Sequence, residues 1–134
     1  MIVRISRGLL DRLLAEAAAS PDEEICGLLL GSEHAIDAVI AAPNVADDPA
    51  GAFEINPKTL FDAHRAARGG GPQVIGHYHS HPNGLAAPSP RDAEAAAGTG
   101  VALWLILAGG GATLWRSGAA DGLHGCFAAV DLVA

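Results

Sequence analysis

Helical and extended patterns alternate along this 134-residue chain, which predicts an α/β fold with a mixed sheet and helices on its faces. Three observations carry that reading. Cap residues open three segments of helical character, at Ser6, Asn56 and Ser89. The apolar run from Ile25 to Leu30 has the continuity of a central strand covered on both faces, and the run from Val101 to Leu107 reads as one strand of a hairpin. No linker or repeat interrupts the pattern, and the length suits one domain, so residues 1–134 are read as a single domain.

Ile2, Val3 and Ile5 predict a short strand. After Ser6, residues Leu9, Leu10, Leu13, Leu14 and Ala17 share one helical face, and the helix should stop near Ser20-Pro21, because proline cannot continue the ladder. The Ile25–Leu30 strand is followed by a turn at Ser32-Glu33-His34 and a second strand from Ala35 to Ala42. Residues 44 to 52 form a polar loop, and Phe53-Glu54-Ile55 reads as a short strand. Asn56 at the cap with Pro57 at the first helical position starts a helix that Gly69-Gly70-Gly71 ends. Val74 to His81 is a strand finishing in histidines. Ser89, Pro90 and Asp92 then make a variant capping box for a short helix ending near Gly98. Val101–Leu107 and Ala112–Arg116 form a hairpin across the glycines at 109–111. The segment from Phe127 to Val133 suits a strand or a helix.

Alanine supplies 28 of the 67 apolar residues, so the 33 Leu, Ile, Val and Phe must build most of the core. The net charge is −7, with Lys58 the single lysine. That average field repels a nucleic-acid backbone and an anionic bilayer surface, so neither is the expected partner. The N-terminal apolar run is broken by Asp11 and Arg12, too early for a signal peptide. No stretch reaches the roughly 18 apolar residues that span a bilayer; Val101 to Trp115 comes nearest, but its glycines read as a hairpin. Cytoplasmic location is the expectation, and Cys26 and Cys126, lacking CxxC spacing, are read as free thiols of a reducing compartment.

The informative segment is Gly76-His77-Tyr78-His79-Ser80-His81-Pro82. Alternate residues of a strand face the same side, with Cβ atoms roughly 6.5 Å apart. Two imidazoles at that spacing can each reach a zinc ion at about 2.0 Å, and a catalytic zinc needs a third protein ligand with one position left open. Asp92, in the first turn of the helix that follows, is placed for that duty, although an acid there is also favoured by the free N–H groups of the helix start. The two roles are compatible, since a carboxylate has two oxygens. Ser89 is by itself an N-cap. Tyr78 and Ser80 point to the opposite face and suit packing and hydrogen bonding. Cys26, inside an apolar run with no neighbouring base, is a poor nucleophile.

The spacing His79-Ser80-His81, seven residues, Ser89, two residues, Asp92 resembles the full motif of the JAMM, or MPN-positive (Mov34/JAB-like), zinc metalloproteases of compact prokaryotic type. The stretch from Pro21 to Gly31 is similar to the segment that holds that family's catalytic glutamate, and the match falls on Glu24. Asn44 and the residues 53–57 fit the same pattern, and the resemblance runs from Ile2 to Trp115. It implies a three-layer, cytidine-deaminase-like α/β/α fold around one zinc ion. It implies that His79, His81 and Asp92 are ligands, Ser89 supports the oxyanion, and Glu24 is the general acid/base. His77 lies outside the minimal pattern on the same strand face, and both a pocket role beside the ligands and a plain structural role stay open for it.

The resemblance further implies hydrolysis of a peptide or isopeptide bond after the C-terminal Gly-Gly of a ubiquitin-like or sulfur-carrier protein. A strand edge at Phe53 and Ile55 would then take the extended tail by pairing. Two other readings compete: a non-enzymatic MPN-type interaction module, and a zinc hydrolase of a non-protein amide. The first is disfavoured because all five chemical positions are filled, the second because the zinc-deaminase pattern is lacking. The C-terminal tail either completes the sheet or mediates homodimerisation.

Overall fold

The computed structural model describes residues 1–134. The elements in chain order are β1 (Ile2–Ile5), α1 (Arg7–Ala18), β2 (Cys26–Ser32), β3 (Ala35–Ala42), α2 (Pro57–Arg68), β4 (Gln73–Ser80), α3 (Pro90–Ala96), β5 (Leu103–Ala108), β6 (Gly111–Arg116) and β7 (Ala128–Val133). The three predicted caps form. Ser6, Asn56 and Ser89 accept hydrogen bonds from backbone N–H groups of α1, α2 and α3, and the Ser89–Asp92 capping box is complete on both sides. Gly109 and Gly110 take φ values of 60° and 78° in the β5–β6 turn, a conformation glycine adopts without Cβ strain.

The strands follow the order β1-β3-β2-β4-β5-β6-β7 and close into a barrel. β1 runs parallel to both β3 and β7, β4 runs parallel to β5, and the remaining pairs are antiparallel. The expected three-layer, cytidine-deaminase-like α/β/α sandwich is therefore corrected: the core is a mixed seven-stranded closed barrel flanked by three helices. The physical reason is the C-terminal segment. It takes the strand alternative, bonds to β6 on one side, and aligns Ile2 with Asp131 and Arg4 with Val133 on the other, so both sheet edges are consumed. Phe53-Glu54-Ile55 is not a strand; it contributes a single bridge between Ile55 and Asn44.

Alternation along each strand sorts the core. Leu29, Tyr78, Leu103, Leu105, Leu107 and Leu114 pack on Leu10 and Leu13 of α1, together with Val3, Ile5 and Ile36. On the other face, Cys26 and Leu28 meet Ile55 and Ala63 of α2, while Trp104 meets Ala96 of α3 and Phe127. β4 and β5 approach so closely at Gly76 that a Cβ there would lie 2.0 Å from the Leu103 carbonyl oxygen. This frame carries the end of β4, with its histidines, between the start of β2 and the start of α3. No helix is long and apolar enough to cross a membrane.

Candidate metal centre

The site is assembled by pairing that fixes two chain segments against each other. In the β2–β4 register Cys26 lies opposite His79. Beyond that pair, the Ile25 N–H donates to Ser80 Oγ at 2.9 Å, and the Ser80 N–H returns a bond to the Ile25 carbonyl at 3.1 Å. Ser80 thus performs the hydrogen-bonding role its strand face predicted. Glu24 is held next to it: its N–H donates to the Pro49 carbonyl at 2.8 Å and its own carbonyl accepts from Asn44 Nδ2 at 2.9 Å. Glu23 is exposed, whereas Glu24 is 7% exposed.

His79 is fully buried and His81 nearly so. Their Nε2 atoms lie 2.9 Å apart, and Asp92 Oδ2 lies 3.3 Å from the first and 3.1 Å from the second. Asp92 reaches this point because the capping box orients it. Ser89 N–H donates to the same Oδ2 at 2.9 Å, and Asp92 N–H donates to Ser89 Oγ at 3.0 Å. Glu24, His79 and His81 each offer a ligand atom within 4.8 Å of the others. The structure therefore gathers Glu24, His79, His81 and Asp92, with Ser89 at the rim.

The donor chemistry suits a cation. His81 Nδ1 lies 2.8 Å from the Leu85 carbonyl, which can only accept, so Nδ1 carries the proton and Nε2 of the neutral ring presents a lone pair. That lone pair faces a carboxylate oxygen and a second imidazole nitrogen, and Glu24 Oε1 beside them is buried with no hydrogen-bond partner. Converging lone pairs repel unless a proton or a metal ion lies among them: with protons there His79 and His81 hydrogen-bond Asp92, and a cation can take their place. The residues fit zinc, a metal bound by histidine nitrogen and carboxylate oxygen, and the cluster is a candidate zinc site.

Electrostatics divide the two carboxylates. Burial pushes Glu24 up to about 7, with help from Asp92 and Asp48 and against His81 and Arg91. Asp92 is buried too, but hydrogen bonds with His79 and His81 outweigh burial and hold its carboxyl well below the usual carboxylate range. Burial lowers His79. At His81 burial opposes the charged form, yet the Asp92 and Leu85 hydrogen bonds prevail and raise it.

His77 lies away from the convergence. Its ring packs edge-on against Trp104 at 4.2 Å, its Nδ1 is buried without a partner, and burial holds it near 3. Phe53 stacks on the His79 ring at 4.2 Å and 18°. Ile55 is buried with Cys26, Leu28 and Ala63, so its side chain faces the core. One residue that sequence reasoning gave no role, His124, lines the same cleft of about 370 Å³ as Glu24, His81 and Ser89. A lone histidine between glycines carries no spacing signal that would have found it.

The family model for prokaryotic homologs of the JAB domain matches residues 6–118. A desampylase of Haloferax volcanii is 37% identical over 86 residues, covering 63% of this chain and 62% of the relative. A probable TtuB-protein conjugate cleaving protease of Thermus thermophilus is 35% identical over 96 residues, covering 72% and 64%. The matched region thus spans less than two thirds of either relative. The solution structure of DSY2949 from Desulfitobacterium hafniense shares the fold, with a TM-score of 0.78 at 22% identity over 99% of this chain and 92% of that one. The match covers the segment that bears the Glu24, His79 and His81 cluster with Asp92 beside it, a catalytic-type metal motif that supports a zinc metallopeptidase, and it also covers Ser89. The chain belongs to the JAMM/MPN-positive family of zinc-metalloprotease-like proteins, as a prokaryotic homolog of the JAB domain.

Proposed function

We propose that residues 1–134 form one catalytic domain that hydrolyses, with zinc, a peptide or isopeptide bond after the C-terminal Gly-Gly of a ubiquitin-like or sulfur-carrier protein. The observation that carries this reading is the convergence of His79 Nε2, His81 Nε2 and Asp92 Oδ2 within 3.3 Å, beside a buried carboxyl with no partner of its own. His79, His81 and Asp92 would hold the metal. When bound, zinc polarises a carbonyl and acidifies a water molecule.

The remaining chemistry belongs to the chain. Environments that push two carboxyls apart assign their roles. Asp92, kept ionised, suits a ligand; Glu24, raised to about 7, suits a group that takes and returns a proton near neutral pH. Glu24 accepts the proton that the attacking water loses, then donates it to the amine nitrogen as the C–N bond breaks. Ser89 Oγ accepts the Asp92 N–H, which leaves its own O–H free to donate to the carbonyl oxygen as negative charge develops there.

The substrate reading rests on the relatives. One is named for cleaving protein conjugates, and between Asp92 and β5 the chain holds only the rest of the short α3 and a turn, with no added subdomain. The 53–55 segment engages 43–45 along one edge, through Val45 N–H to Glu54 and Asn56 N–H to Pro43. An extended glycine tail would run along the other edge past Phe53 toward His79, with Ile55 supporting from the core. The two free cysteines suit the cytoplasm.

The test is a panel of ubiquitin-like proteins ending in Gly-Gly plus a short extension, analysed by mass spectrometry with and without chelator. Cleavage after Gly-Gly that chelator abolishes is expected. Glu24→Gln should keep zinc and lose turnover, and Asp92→Ala should lose both. A zinc-loaded protein that cleaves nothing in the panel would remove the substrate assignment.

A further inference from the structure

The chain beyond the family match folds back onto the metal centre. Residues 119–127 form a compact turn closed by Ala119 N–H to the Cys126 carbonyl at 2.8 Å and by reciprocal bonds between Leu123 and Phe127 at 2.8 and 3.0 Å. Phe127 anchors it, packing edge-on against Trp104 at 5.0 Å in the cluster with Ala96 of α3. At the tip, His124 adopts φ 54°, the single non-glycine residue of the chain with positive φ. Its Nε2 lies 2.9 Å from the carbonyl oxygen of Pro88, so Nε2 carries the proton and donates.

That contact bears on the reaction groups through one peptide bond. The Pro88 carbonyl and the Ser89 N–H belong to the same planar unit, which cannot flex internally. His124 holds its oxygen end. Asp92 Oδ2, the oxygen facing both ligand histidines, holds its N–H end at 2.9 Å. A donor on the carbonyl also polarises the amide and strengthens the N–H it presents. The next atoms along are the Ser89 side chain, whose Oγ accepts the Asp92 N–H.

We infer that His124 is a positioning residue: from the C-terminal turn it clamps the Pro88–Ser89 peptide and so fixes the Ser89 hydroxyl and the Asp92 carboxylate against the metal centre. The kinetic part of this inference rests on the hydrolytic reading above; the structural part does not. Loss of one such hydrogen bond corresponds to about a 3- to 10-fold effect.

Three variants separate the contributions. His124→Ala removes both the donor and a residue that tolerates positive φ. His124→Asn keeps that backbone tolerance but is too short to reach Pro88. His124→Gln restores an N–H donor at the original reach. The expected kinetic result is about a 3- to 10-fold fall in kcat for Ala and Asn, with KM within twofold, zinc content unchanged, and Gln recovering most of the rate. In parallel, hydrogen exchange at the Ser89 and Asp92 amides should quicken by a similar factor in Ala and Asn and return in Gln. Asn matching wild type while Ala falls would assign the effect to the backbone and overturn the inference, as would unchanged exchange in all three. If wild type itself shows no hydrolysis, the proposed function fails, and the exchange comparison still decides the clamp.

Discussion

Replacing Glu24 with glutamine should stabilise the metal-free protein, and only at neutral and alkaline pH. The residue is 7% exposed, its Oε1 has no partner, and burial raises the carboxyl from 4.5 to about 7. Between those values the folded state retains a proton that the unfolded chain has released. Stability therefore falls as pH rises through that window. A shift of about 2.5 units corresponds to about 3 kcal/mol at full ionisation, an upper value because the cleft admits some water. Glutamine keeps the shape and abolishes the titration. In chelator-treated protein, urea unfolding should give indistinguishable stabilities below pH 4.5 and a gain approaching about 3 kcal/mol at pH 8, or roughly 10 °C in Tm for a chain of this size. A difference independent of pH, or a less stable glutamine variant at pH 8, would refute the reasoning. Since the same substitution should abolish turnover, the carboxyl is held at a cost in stability where its proton affinity serves the reaction.

The metal should act in the opposite sense: with free zinc at about 100 times its Kd, wild type gains about 2.7 kcal/mol, read as a rise in Tm that chelator reverses. Asp92→Asn keeps an acceptor for the Ser89 N–H but loses the charge, so its zinc-dependent rise should collapse; an undiminished rise would exclude Asp92 as a ligand. Burial raises the Cys26 thiol to about 11, so iodoacetamide at pH 8 should label Cys126 and spare Cys26 in the folded protein, as peptide mapping would show; early labelling of Cys26 would contradict the burial. Gly76→Ala should cost about 3 kcal/mol or more, because the new Cβ meets β5 backbone and neither strand can yield; a loss under about 1 kcal/mol in urea unfolding would refute that close approach.

What could be read from the sequence and what could not follows from the distance along the chain over which each feature is determined. Helix starts are local, and the Ser6, Asn56 and Ser89 caps sit where side-chain oxygen and proline spacing place them. The histidine–aspartate convergence is nearly local too. His79, His81 and Asp92 come from one strand end, one loop and one capped helix start, and a capping box that satisfies the Ser89 N–H orients Asp92 Oδ2 toward the imidazoles. Glu24 arrives from 55 residues away, yet its approach depends on a strand pairing that the apolar run from Ile25 makes strong and that Ser80 locks. Barrel closure has no such signature. It depends on four-residue β1 accepting β3 on one side and β7 on the other, and the alanines of β7 left its type undecided until β6 and β1 supplied partners. The 53–55 segment fails as a strand for the complementary reason: Asn44 satisfies the Glu54 N–H with a side-chain oxygen, and Ile55 turns into the α2 core. The convergence of the candidate ligands was thus legible because it lies within a few residues of a strand end and a helix cap. The architecture was not, because its deciding contacts join the two ends of the chain. Closure nonetheless bears on the site: it seats the segment after β6 so that Phe127 reaches Trp104 and the 119–127 turn reaches the Pro88 carbonyl.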